Sequence, residues 1–233
     1  MNPLPRLLPT IAENETYGGV TYHLGGELVP VLSVDVTQQP VYFEHHILLW
    51  KHSSVRIGMK PVKGAVKRML AGMQVFVTEA SGDGVIAFSR DGAGHIVPIH
   101  LLPGQELHVR EHQFLAATSN VEYTFERVRG ISNMFFGQTG FFIDKFRGGH
   151  GPGVLWLHGY GNVFEKVLAA GETIDIEPGA WLYKDPSVKM ESVVDRLSSG
   201  FFAAGFNFII NRFTGPGKVG LQSMYVNNST EER

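Results

Sequence analysis

Cysteine is absent from the 233-residue sequence, which excludes disulfide bridges, cysteine-ligated zinc and a thiol nucleophile. Charge is sparse. Only 18% of the residues are charged, and 20 Lys and Arg stand against 22 Asp and Glu, for a formal net charge of −2. A nucleic-acid binder shows a basic excess or a basic stripe. Neither is present, so no nucleic-acid partner is expected. Long apolar runs are missing too. The most apolar stretch, residues 200–210, is about half the length that spans a bilayer, and Asn207 interrupts it. Residues 1–10 hold Pro3, Pro5 and Pro9 where a secretory signal needs an apolar core, and Glu13 and Glu15 argue against a transit peptide. The expected location is the cytoplasm.

Glycine, in contrast, is abundant at 28 residues, and proline adds 12. Spread between short apolar runs, they mark tight turns between strands. Residues 37–57 recur without gaps at 103–123 and 170–190. Val41 aligns with Leu107 and Ile174, Phe43 with Val109 and Ile176, and Leu48 with Phe114 and Trp181. Leu49, Leu115 and Leu182 are identical, as are Val55, Val121 and Val188. Apolar residues two apart line one face of a strand. Each copy therefore predicts three short strands, which in the first copy are 41–43, 48–51 and 55–57. Amphipathic segments follow near 61–71, 128–135 and 194–201, read as short helices or turns. Gly64, Gly130 and Gly200 weaken them as helices. Each leads to an apolar strand (73–78, 140–146, 206–213), a glycine turn, and a further strand that starts at Val85, Val154 or Val219.

The prediction is an all-β chain of three tandem β-sandwich or double-stranded β-helix-like repeats of about 66 residues, in a pseudo-threefold arrangement. The divisions are an N-terminal arm at 1–16, repeats at 17–81, 82–150 and 151–226, and a frayed tail at 227–233. An unpaired apolar edge invites aggregation. The strand near 219–226 is therefore expected to return to the first repeat and close the three into a ring. Leu49, Leu115 and Leu182 are expected to be buried at equivalent places.

These units, each with a Phe-rich strand, a Gly-x-Gly turn and the alternating segment, resemble the altered-inheritance-of-mitochondria 24 family. So does the ending Thr214-Gly-Pro-Gly-Lys-Val-Gly-Leu-Gln-Ser223. The resemblance covers residues 17–226. It implies a fold related to that of the tryptophan RNA-binding attenuation protein, with three β-sandwich subdomains per chain and a homotrimeric ring. It implies no reaction. Bacterial members have no established activity, and the link of the mitochondrial member to inner-membrane organisation rests on no residue motif that could be carried over.

Candidate chemical groups are few. His45, His46 and His52 are close in sequence, and His108 and His112 are four apart. Residues four apart on a strand sit about 13 Å from each other, too far to share an ion without a turn between them. His45 and His46 fall on a turn, and the third copy has Pro178 and Gly179 there. A cupin-like His-x-His pair is absent, so no metal is expected. A Gly-x-Ser-x-Gly elbow is absent as well. Asp175 and Glu177 alternate with Ile174 and Ile176 and read as a solvated strand face. Gly148, Gly149, Gly151 and Gly153 precede a strand, whereas a phosphate loop precedes a helix. Lys60, Lys63, Lys67 and Arg68 cluster once; the matching segments carry only Arg127 and Arg129, then Arg196.

The remaining anomaly is aromatic. Phe135, Phe136, Phe201, Phe202 and Phe206 are the candidate interface or partner surface, facing a protein partner or a peripheral membrane. Two functional classes follow. The favoured one is a non-enzymatic oligomeric scaffold or binding protein without cofactor, assembled as a trimer. The alternative is a small-molecule- or metal-dependent enzyme using a β-helix cavity.

Overall fold

The computed structural model describes residues 4–44, 46–61, 76–128, 141–196 and 207–224. Among them the fold is all-β, with antiparallel sheets and no helix. The amphipathic segments near 61–71, 128–135 and 194–201 lie largely outside the described residues. β1 (Arg6–Leu7) and β2 (Ala12–Tyr17) precede β3 (Val20–Gly25) and β4 (Val31–Asp35). Next come β5 (Val41–Phe43), β6 (Leu48–Lys51), β7 (Val55–Pro61), β8 (Phe76–Gly82) and β9 (Val85–Phe88). A second set follows: β10 (Gly94–Leu101), β11 (Glu106–Arg110), β12 (Phe114–Thr118), β13 (Val121–Val128), β14 (Phe141–Gly148) and β15 (Gly153–Tyr160). A third set completes the order: β16 (Val163–Leu168), β17 (Thr173–Ile176), β18 (Trp181–Lys184), β19 (Lys189–Arg196), β20 (Asn207–Thr214) and β21 (Gly217–Gln222).

Two pairing patterns organise these strands. β9 lies between β4 and β6, β15 between β10 and β12, and β21 between β16 and β18. β8 lies between β5 and β7, β14 between β11 and β13, and β20 between β17 and β19. This corrects two expectations. β21 does not return to the first strands: it pairs with β16 and β18 and stays in the third set. β9, placed in the second repeat by sequence, pairs with the strands of residues 31–51. The N-terminal residues are also more than an arm, since β1 pairs with β16 and β2 with β3.

Alternation builds the core. In β3, Val20, Tyr22 and Leu24 are buried while Thr21 and His23 are exposed, the period of a strand with one wet face. β12 is buried throughout, as expected for a strand covered on both faces. Trp156 and Trp181 are the largest fully buried side chains. Gly220 is required by close approach: a Cβ there would sit 2.3 Å from the Tyr183 ring. Gly220→Ala is expected to cost about 1–3 kcal/mol through overpacking, read as a lowered Tm.

The identical leucine of the aligned segments marks a local irregularity. The register slips between Leu48 and Trp50, between Phe114 and Ala116, and between Trp181 and Tyr183. Each slip sits at Leu49, Leu115 or Leu182, and a bulge of this kind re-aims a side chain. Leu115 and Leu182 are buried as expected, at 0% exposure. Leu49 is not: it is 53% exposed. The cause is a missing neighbour on β6.

Candidate functional site

β5 pairs across to β12, with Phe43 opposite Ala116, Tyr42 opposite Ala117 and Val41 opposite Thr118. β11 pairs across to β18 in the same way, with Val109 opposite Tyr183 and His108 opposite Lys184. These are the two joints between successive sets of strands. A third joint would place β17 against β6. In the chain those two strands lie at sheet edges instead. All four residues of β6 are exposed, among them Leu48, Leu49 and Trp50. Asp175 on β17 is exposed and forms a two-pronged ion pair with Arg212, both contacts at 2.7 Å.

Each internal joint holds buried polar groups. At the first, Arg90 donates to Glu44 at 3.0 Å and to the carbonyl of Phe114 at 3.2 Å. His158 is buried beside it, its Nε2 within 3.2 Å of the Gly92 carbonyl and its Nδ1 without a partner among the described residues. Burial, helped by the Arg90 charge, pushes the His158 imidazole down to about 4. At the second, Tyr183 donates to Glu165 at 2.8 Å, and Arg110 donates to the Gly179 carbonyl at 3.2 Å. Lys184 Nζ lies 3.3 Å from His108 Nδ1, and His108 Nε2 lies 2.8 Å from Glu106. Arg90 to the Phe114 carbonyl, Arg110 to the Gly179 carbonyl and Lys184 to His108 tie one set of strands to the next.

Phe135, Phe136, Phe201, Phe202 and Phe206 lie outside the described residues, as do His45, Lys63, Lys67 and Arg68. The histidines are dispersed. His46 faces Glu44 at 3.6 Å, His52 accepts from the Val85 amide at 3.3 Å, and His112 pairs with Glu111 at 3.2 Å. Among the described residues no group of three His, Asp or Glu converges as a metal site would. Lys60 reaches Glu79 at 3.2 Å and the Ser119 carbonyl at 3.0 Å, over the Tyr42 ring. Sequence reasoning missed the open edges of β6 and β17 and the Glu106–His108–Lys184 chain. Lys51 and Lys184 occupy aligned positions, a signal that could have pointed to the second.

This geometry is structural: paired strands, two joints between successive sets, and β6 and β17 left at sheet edges where a third joint would lie. A family model described as mitochondrial biogenesis AIM24 matches residues 22–224. The chain belongs to the AIM24 family. An uncharacterized protein of Streptococcus pyogenes serotype M6 is 25% identical over 224 residues, covering 93% of this chain and 82% of the relative. A crystal structure of a Streptococcus pyogenes protein superposes with a TM-score of 0.66 at 21% identity, covering 88% of this chain and 94% of the other. That likeness shows the fold alone. Among the described residues no helix is long and apolar enough to cross a membrane.

Proposed function

We infer that this AIM24-family chain is a non-enzymatic scaffold whose copies join edge to edge, β17 of one against β6 of the next. The carrying observation is Leu49, 53% exposed where Leu115 and Leu182 are fully buried. β12 and β18 each have a neighbour from the preceding set of strands, and β6 has none. One open edge of each kind makes a head-to-tail contact, and such contacts close into rings when the rotation permits. The internal joints supply the register. Extended to the third, it sets Trp50 opposite Ile176 and Lys51 opposite Asp175, an apolar pair beside opposite charges. A homotrimer is the proposed closure, and the Phe-rich connections at Phe135, Phe136, Phe201, Phe202 and Phe206 are its proposed partner surface.

Light scattering at micromolar concentration tests this. The wild type is expected at the mass of three chains, and Leu49→Glu as a folded monomer. Lys51→Asp should weaken the assembly, and adding Asp175→Lys should restore it. A monomeric wild type, or an assembly indifferent to Leu49→Glu, overturns the proposal.

A further inference from the structure

Lys184 ends β18 in a place that aligns with Lys51 at the end of β6. Both amines donate to the carbonyls of the following turn. Lys51 reaches the Val55 carbonyl at 2.8 Å and the His52 carbonyl at 3.4 Å. Lys184 reaches those of Val188 at 2.7 Å and Asp185 at 3.4 Å. Holding the turn explains these contacts at both sites. It does not explain what is added at Lys184 alone, where His108 lies on the amine and Glu106 lies behind the imidazole. At the first joint the matching cross-strand pair is Tyr42 and Ala117, with no amine.

The Lys184 side chain also borders open space. Lys184 is buried, yet it lines a cavity of about 620 Å³ together with His108, Glu126, Ile143, Val188 and Met190. That volume suits a small molecule. The charges around the amine are Lys145 on β14, ion-paired to Glu126 on β13, with Glu106 on β11 and Asp185 in the turn. Burial first, and Lys145 second, lower the Lys184 amine to about 8. Burial also lowers His108 and keeps its imidazole neutral near pH 7.

We propose that Lys184, with His108 and Glu106 behind it, is a reversible covalent site for small aldehydes or ketones in the cavity between the second and third sets of strands. The neutral amine adds to the carbonyl carbon. Its two protons pass, by way of His108, to the carbonyl oxygen, which leaves as water. The product is an imine, and no oxidant or reductant is consumed. Glu106 positions the His108 ring and compensates its charge when it holds a proton in transit. The apolar wall of Ile143, Val188 and Met190 selects carbonyl compounds with a short apolar chain.

The test uses the full chain, butanal and cyanoborohydride at about pH 7.5, with alkylation at each lysine followed by peptide mass spectrometry. A lysine near 8 carries on the order of 100-fold more neutral amine at this pH than an ordinary one. Steric burial reduces that advantage, so Lys184 is expected to react about tenfold faster than Lys189, which is exposed and lines the same cavity. His108→Gln should bring Lys184 to the rate of Lys189. Equal rates in the wild type, or a full advantage kept in a folded His108→Gln variant, overturn the proposal. This outcome is independent of the oligomer's mass.

Discussion

Truncating Leu115 or Leu182 to alanine is expected to cost about 2–5 kcal/mol, while Leu49→Ala costs the isolated chain less than about 0.5 kcal/mol. The three leucines occupy aligned positions, and all three sit at the slip between paired strands. Sequence and local geometry therefore do not separate them; their neighbours do. Leu115 packs in a core with Phe43 and Trp156, and Leu182 in one with Val109 and Tyr183. Either truncation leaves a cavity that antiparallel sheets on both sides cannot collapse to fill. Leu49 has solvent where they have a strand. Denaturant unfolding at nanomolar concentration reads the monomer's share. At micromolar concentration Leu49→Ala should instead show a concentration-dependent loss of Tm, because binding stabilises only the assembled fold. A Leu49→Ala cost equal to the other two at low concentration would place Leu49 in a closed core.

That contrast shows what the sequence carried and what it did not. The strands at 41–43, 48–51 and 85–88 were legible because alternation and glycine turns are local signals. The exposure of Leu49 was not. A period of two assigns a side chain to a face and is silent on whether another strand lies alongside. The destination of β21 was misread for a related reason. A tandem pattern has no marked beginning, so strands starting at Val85, Val154 and Val219 can be assigned to the set before or after them. Only pairing decides, and β21 pairs backward. The Lys184–His108 contact spans 76 residues and depends on the register of β11 against β18, which composition and spacing do not encode. His108 and His112 each have their own carboxylate neighbour, Glu106 and Glu111.

Lowering the pH from 6.5 to 4 is expected to remove about 3 kcal/mol of stability through His158 alone. Its imidazole is buried at the first joint, with Arg90 close by, and burial followed by that charge holds it at about 4. In the unfolded chain the same ring titrates near 6.5. Between those values the unfolded state binds a proton that the folded state refuses, so stability falls as the pH drops through this window. Above it the ring is neutral in both states and the contribution is constant. His95 and His108 are also lowered by burial and act in the same direction. His112, raised by Glu111, acts in the opposite one. Unfolding curves at pH 7, 6, 5 and 4 for the wild type and His158→Gln separate the histidine from the background. Glutamine keeps a donor for the Gly92 carbonyl that His158 contacts and cannot titrate. The variant's profile should be flatter across this range by about 3 kcal/mol. Parallel profiles would mean that water reaches the ring, and that the joint between β5 and β12 is open to solvent there.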